Sequence, residues 1–302
     1  MDIIKIDGLC KSYGEVKAVQ DLSFLVKKGE LFAFVGLNGA GKSTTISIIC
    51  GTLQKDSGRV EINGKSLDTD AESIRREIGV VFQNSVLDKA LSVYDNLKTR
   101  AALYELIGEA FEARLQTLCQ AFEIKDILRR AVGKLSGGQR RRIDVVRALL
   151  HEPEILILDE PTTGLDPQTR KLVWGVIDEQ RKRRGMTVFL TTHYMEEASE
   201  ADYVVILDGG KTVAEGTPLA LKNAYTGDYI TLYNADEAEV RALGKPYERL
   251  SDKFRVSVSN TREATELILQ NPTLFTDYEI VKGKMDDVFL AVTGKALKGE
   301  NV

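Results

Sequence analysis

Eight residues near the start of the chain, Gly36-Leu37-Asn38-Gly39-Ala40-Gly41-Lys42-Ser43, have the types and spacing of a phosphate-binding P-loop. Glycines so spaced let backbone N–H groups turn inward on phosphate oxygens, and the N-terminus of a following helix adds positive potential. Lys42 is placed to reach the β- and γ-phosphates of a nucleotide, and the Ser43 hydroxyl to ligate Mg2+. Further on, Ile155-Leu156-Ile157-Leu158-Asp159-Glu160 is an apolar run ending in two carboxylates. Ligands of open α/β sheets bind at the carboxyl ends of strands, so Asp159 falls where the Mg2+ belongs. Glu160, one residue further out, can then orient or deprotonate an attacking water. Leu135-Ser136-Gly137-Gly138-Gln139 stands before a helical stretch, Arg140–Leu150, and forms a second anion-binding turn. A second phosphate site makes sense if it completes the site of another subunit.

These residues need a scaffold, and the hydrophobic pattern supplies one. Leu31–Val35, which feeds the P-loop, is wholly apolar; Ile78–Phe82, Ile155–Leu158, Thr187–Thr191 and Tyr203–Leu207 are similar short runs separated by helical patterns. Parallel strands buried on both faces read this way. Ile3–Asp7 and Leu22–Val26 alternate and read as half-buried strands. From Ser92 to Leu150 no strand-like run occurs, which points to helices inserted between two core strands. Lys171–Arg184 has Leu172, Val173, Val176 and Ile177 on one helical face, with Asp166 as N-cap and Pro167 at the first helical position. Arg140–Arg142 reads as a solvated helix face or a charge balance to phosphates, and Arg181–Arg184 as an offset to a helix C-terminal dipole.

Beyond Gly216–Pro218 the character changes. Strands at 229–232, 253–258 and 277–281 alternate with helices at 235–243, 261–270 and 285–293, and the stretch has neither cysteine nor histidine. It reads as a small α+β domain without catalytic chemistry.

The composition excludes several function classes. With 302 residues, 43% of them hydrophobic, the chain buries a real core and is neither disordered nor a disulfide-stapled miniprotein. Its net charge of −4 speaks against wholesale nucleic-acid binding. Cys10, Cys50 and Cys119 form no CxxC pair, so neither a disulfide framework nor a zinc site is implied. The longest uncharged stretch, Ser43–Gln54, is 12 residues, short of the roughly 18 that a bilayer span needs. The N-terminus has no signal-peptide pattern. A cytoplasmic chain is expected, with any membrane role exercised through a partner.

Taken in order, these motifs resemble the ATP-binding subunit of ABC transporters over roughly residues 1–220. The resemblance extends to Tyr13, where the family stacks an aromatic on adenine; to Gln83, the Q-loop glutamine; to Gly164-Leu165-Asp166, the D-loop; and to His193, the switch histidine. It implies that Tyr13, Gly36, Asn38, Gly39, Ala40, Gly41, Lys42, Ser43, Thr44 and Gln83 bind ATP. Ser136, Gly137, Gly138, Gln139 and Asp166 are implied to do so across a dimer. Ser43, Gln83 and Asp159 are implied to hold Mg2+, and Glu160, His193 and Lys42 to act in catalysis. Asp166 is at once a D-loop residue and an N-cap.

Met285-Asp286-Asp287-Val288-Phe289-Leu290-Ala291-Val292-Thr293-Gly294 is similar to the C-terminus of drug-exporter ATPases of the daunorubicin-resistance type. A bland alternative is an amphipathic closing helix with Val288, Leu290, Ala291 and Val292 packing.

The expected fold is α/β: a P-loop NTPase core with an N-terminal antiparallel β part, an inserted helical subdomain at about 88–150 and a small C-terminal α+β domain. The ATP-binding domain is expected over 1–220 and the accessory domain over 221–302. The function implied is ATP hydrolysis powering export of a drug-like or other small substrate through a separate transmembrane permease subunit. A second copy would join head-to-tail, with the pair peripheral on the inner face of the cell membrane and no nucleic acid involved. An importer ATPase or a non-transport regulatory ATPase of the ABC type is the alternative.

Overall fold

The computed structural model describes residues 1–295. The chain divides into two compact units, one formed by Met1–His193 with Ala201–Thr212, the other by Tyr194–Glu200 with the chain from Val213 onward.

The first unit opens with a long hairpin, β1 (Asp2–Tyr13) and β2 (Val16–Lys27). After β3 (Leu31–Gly36) and α1 (Lys42–Ile49) come β4 (Ser57–Ile62), the short β5 (Lys65–Ser66), α2 (Leu67–Glu77) and β6 (Ile78–Val81). The inserted helices are α3 (Val93–Ala102), α4 (Gly108–Phe122) and α5 (Gly137–Leu149). The core resumes with β7 (Ile155–Asp159), α6 (Pro167–Arg184), β8 (Thr187–Thr192), α7 (Met195–Ser199), β9 (Tyr203–Asp208) and β10 (Lys211–Gly216), α7 and the part of β10 from Val213 onward being counted with the second unit.

Two sheets result. An antiparallel sheet has the order β2-β1-β4-β5, and a six-stranded sheet the order β10-β9-β3-β8-β7-β6. In the latter, β9, β3, β8, β7 and β6 are mutually parallel, as their apolar runs require. Every residue of β3, β7 and β8 is buried. Phe24, Phe32, Phe34 and Phe189 join the sheets, with ring centroids 5.1–6.3 Å apart. Burying each such ring contributes about 2–3 kcal/mol.

The inserted helices are individually punctuated. Ser92 caps α3 by accepting from the Asp95 N–H at 3.1 Å, and Glu123, left-handed at φ 52°, ends α4. Where the insert meets the core, the Tyr104 and His151 rings stack at 3.8 Å and His151 Nε2 lies 3.2 Å from the Ile78 carbonyl. Burial, reinforced by Arg100, Arg147 and Arg114 and opposed by the Ile78 carbonyl, pushes the His151 pKa down to about 4.

The second unit contains α8 (Pro218–Tyr225), β11 (Asp228–Tyr233), α9 (Glu237–Ala242), β12 (Tyr247–Leu250), β13 (Lys253–Val258), α10 (Thr261–Gln270), β14 (Tyr278–Lys282) and α11 (Met285–Thr293). Sequence patterning misses β12, whose Tyr-Glu-Arg-Leu stretch is a half-exposed edge strand. With it the sheet is antiparallel in the order β12-β13-β11-β14, the split βαββαβ arrangement of ferredoxin-like domains. The expected packing of α11 needs correction: Met285, Val288 and Phe289 are buried, whereas Leu290 and Ala291 are exposed.

Candidate functional site

Parallel register brings the ends of four strands level. Val35 pairs with Thr192, Asp159 with Thr191 and Val81 with Leu158. The next residues of all four strands emerge at one sheet edge: the P-loop after β3, Gln83 after β6, Glu160 after β7 and His193 after β8.

The P-loop is held by backbone packing that only glycine permits at two points. A Cβ on Gly36 would stand 2.7 Å from the Leu207 carbonyl, and one on Gly41, at φ +105°, 2.5 Å from the Ala18 carbonyl. Gly210 N–H donates to the Ala40 carbonyl at 3.1 Å, and Gln20 N–H to the Gly210 carbonyl at 2.8 Å, so β2 and the turn after β9 buttress the loop from outside. Lys42 is buried, and its Nζ donates to the Gly36 carbonyl at 2.6 Å and the Leu37 carbonyl at 3.1 Å. Burial lowers its pKa, while the negative charges of Glu160 and Asp159 oppose the shift. Ala40 is buried, Thr44 half-buried, and Asn38, Gly39 and Ser43 are exposed.

Asp159 and Glu160 have different surroundings. Thr191 Oγ1 donates to Asp159 Oδ1 at 2.6 Å. Burial raises the Asp159 pKa; the Thr191 hydroxyl counters this and the Glu160 charge adds to it. Glu160 is left-handed, φ 46°, and its N–H donates to the Thr191 carbonyl at 3.0 Å. This sharp turn swings its carboxylate into a cluster: Gln83 Nε2 donates to Oε2 at 3.1 Å, Thr163 Oγ1 to Oε2 at 3.5 Å, and His193 Nδ1 lies 3.4 Å from Oε1. Gln83 and His193, separated widely in sequence, thus both reach Glu160.

The Ser136–Gln139 turn has a local role as well. Ser136 Oγ accepts from Gln139 N–H at 3.2 Å and Gln139 Oε1 from Ser136 N–H at 3.1 Å, a capping box at the start of α5. Ser136 and Gly137 remain exposed. The turn lies against the start of α6, since a Cβ on Gly138 would stand 3.3 Å from Thr169 Oγ1 and 3.7 Å from Asp166 Oδ2. Asp166 caps α6, accepting from Thr169 N–H at 2.9 Å and Thr169 Oγ1 at 2.6 Å; these bonds hold its pKa down. Tyr13 closes β1, is 51% exposed, and has Lys11 Nζ 5.9 Å from its ring centroid.

Two arginine groups differ from their sequence reading. Arg141 is buried rather than solvated, and its guanidinium donates to the carbonyls of Phe82, Asp159, Glu160 and Pro161. Its partners are backbone atoms, which leave no mark in the sequence. Arg181 pairs with Asp178 and Asp202, and Arg184 with Glu152, beyond any dipole offset.

Comparison with known proteins matches this geometry to a family. Residues 19–163 match the ABC transporter family model. The Nod factor export ATP-binding protein I of Rhizobium etli is 35% identical, covering 99% of this chain and 95% of that protein. The daunorubicin resistance ATP-binding protein DrrA3 of Streptomyces coeruleorubidus is also 35% identical, covering 96% of each. Among solved structures, an ATP-binding subunit of an ABC transporter superposes with a TM-score of 0.68 at 31% identity, over 74% of this chain and 93% of that one. A dimeric ATP-binding cassette in a post-hydrolysis state, bound to ADP and Pi, superposes with a TM-score of 0.66 at 27% identity, over 71% and 98%. With the P-loop, the strand-end carboxylates and the capped Ser136–Gln139 turn all on one core, the chain belongs to the ATP-binding subunits of ABC transporters, the ATPases that work with transmembrane subunits.

Proposed function

We propose that this ATPase drives export of a drug-like or other small substrate through a separate transmembrane permease subunit, from a position on the inner face of the cell membrane. The observation that carries the reading is the meeting of Lys42, Asp159, Glu160, Gln83 and His193 at one sheet edge. Its direction draws on similarity to export proteins that spans nearly the full chain, tail included. Among the described residues no helix is long and apolar enough to cross a membrane; in this reading the pathway is the partner's.

In this reading residues 1–220 form the ATP-binding domain, with the helical subdomain at about 88–150, and 221–302 an accessory domain. Tyr13 offers its exposed ring to adenine. Backbone N–H groups of 36–44 cradle the phosphates, and the buried Lys42 ammonium turns from the Gly36 and Leu37 carbonyls toward the more strongly charged phosphate oxygens. Ser43, Asp159 and Gln83 offer a hydroxyl, a carboxylate and a carboxamide, the hard oxygen donors that suit Mg2+. Thr191 engages one Asp159 oxygen and thereby orients the carboxylate. Bound there, Mg2+ would neutralise charge on the phosphates. Glu160 accepts the proton of the attacking water. Gln83 and His193 fix the carboxylate from two sides, and His193 is the residue offered to the γ-phosphate.

Two chains meet head-to-tail, so that each ATP lies between Gly36–Ser43 of one and Ser136–Gln139, with Asp166, of the other. This isologous arrangement gives the pair two equivalent sites. The test is recovery of the full chain from its native membranes in mild detergent, reconstitution with the membrane protein that accompanies it, and assay of ATP-dependent substrate movement. ATP-dependent loading of inside-out vesicles supports export. Loading of right-side-out vesicles would make it an importer ATPase, and a chain with no membrane companion would refute the transport reading.

A further inference from the structure

Helix α5 touches both the turn proposed to face a partner's nucleotide and the backbone of the carboxylate proposed to act in the chain's own site. Its N-terminus is the Ser136–Gln139 capping box. One helical face carries three buried charged residues three positions apart: Arg141, Asp144 and Arg147. Each reaches the segment that runs from β6 into the Q-loop. Arg147 Nη2 donates to the Val80 carbonyl at 2.6 Å, Arg141 Nη1 to the Phe82 carbonyl at 2.5 Å, and Asp144 Oδ1 accepts from Ser85 Oγ at 3.0 Å.

Arg141 does more than this. Its Nε donates to the Pro161 carbonyl at 2.5 Å, and its Nη2 to the Asp159 carbonyl at 3.1 Å and the Glu160 carbonyl at 2.7 Å. One planar guanidinium therefore grips three consecutive carbonyls around Glu160 and the carbonyl just before Gln83. Glu160 needs such a grip, because its left-handed backbone is a conformation that a non-glycine residue keeps only when its surroundings enforce it. Thr191 holds its N–H and Arg141 its carbonyl. With both ends fixed, the side chain has one direction in which to leave, toward Gln83 Nε2 and His193 Nδ1.

We infer that Arg141 is a positioning residue: it locks the main chain of Glu160 and Gln83 to the helix that carries the Ser136–Gln139 turn, so that engagement of this turn by the partner's nucleotide sets the aim of the chain's own hydrolytic carboxylate. The inference rests on the reading of Glu160 as general base. Lysine cannot substitute, because a single ammonium cannot span carbonyls on opposite sides of a rigid planar fork.

The test is a double-mutant cycle in the full-length chain, using Arg141→Lys, Glu160→Gln and the pair, with ATP affinity, single-turnover hydrolysis rate and melting temperature measured for each. Arg141→Lys keeps a cation in the cavity and is expected to fold, to bind ATP within about threefold of the parent, and to lose about tenfold or more in rate. In the Glu160→Gln background, where there is no base left to aim, the same change should cost less than about threefold. Arg141→Gln, checked by melting, should show the same non-additivity with a larger loss. Equal loss in both backgrounds would make Arg141 a generic packing residue and overturn the inference, as would an unchanged rate in Arg141→Lys. Normal turnover of Glu160→Gln alone would overturn the general-base reading first, and the positioning role with it.

Discussion

Glu160→Gln separates chemistry from binding more cleanly than any other change in the molecule. The amide has the shape of the carboxylate, and its oxygen can still accept from Gln83 Nε2 and Thr163 Oγ1, which stand 3.1 and 3.5 Å from Glu160 Oε2. What disappears is the basicity. Removing a general base costs ~10²–10⁴ in rate, or about 3–5 kcal/mol of barrier. Stability should move little, because two charge effects oppose each other. Glu160 pushes the buried Asp159 toward protonation and helps hold Lys42 charged, so neutralising it relieves one neighbour and deprives the other. A net effect within about 1 kcal/mol corresponds to a melting shift of about 2–4 °C for a unit of this size. ATP affinity should hold or improve, since one negative charge leaves the phosphate end of the site. The assay combines phosphate release with size-exclusion chromatography in ATP and in ADP. The expected outcome is slow turnover and an ATP-dependent dimer. Near-normal phosphate release would refute Glu160 as base, and ATP binding without any change in size would count against the head-to-tail dimer.

Lys42→Ala should weaken ATP binding by roughly 10–100-fold, the worth of about one charge-assisted hydrogen bond, and abolish hydrolysis while the chain stays folded; unchanged affinity with normal turnover would remove Lys42 from the phosphates. Ser136→Arg loses its share of the capping box, about 1 kcal/mol, yet should keep ATP on its own P-loop and fail to complete a partner's site. Normal hydrolysis by Ser136→Arg alone would sink the trans role of the turn. His151 makes the fold acid-sensitive: its pKa is depressed from 6.5 to about 4, so its stabilising contribution is complete above about pH 6.5 and is lost as pH falls toward 4. The loss amounts to roughly 3 kcal/mol, and His151→Phe, which keeps a ring against Tyr104, should flatten the fall in urea midpoint between pH 7 and pH 4.5; an unchanged fall would place the acid sensitivity elsewhere.

The parallel sheet was legible because strands covered on both faces must be apolar throughout, and Leu31–Val35 or Ile155–Leu158 can hardly be read otherwise. The convergence of the P-loop, Gln83, Glu160 and His193 was legible because each of them stands at the end of such a run, and strand ends in a parallel sheet collect ligands. What escaped was polar structure satisfied by backbone. Arg141 looked like one of three solvated arginines, since carbonyls carry no sequence signature. A signal did exist: nearly every residue from Ile143 to Leu150 is apolar except Asp144 and Arg147, and charges spaced by three within such a helix have nowhere to point but inward. Edge strands escaped for the opposite reason. β12 and β5 are polar and partly exposed, so no hydrophobic period marks them.

The level ends of β3, β6, β7 and β8 make chain length as decisive as residue type. Because a strand advances about 3.3 Å per residue and turns its side chains to the opposite face at every step, a single insertion within β7 would carry Asp159 past Thr191 and reverse the face that each apolar residue presents. No substitution elsewhere could restore both. Insertions and deletions should therefore be excluded from these four short segments, even between distant relatives that share few of their residues. The connections at the opposite ends of the same strands are free of that restraint, and length variation in this lineage should accumulate there.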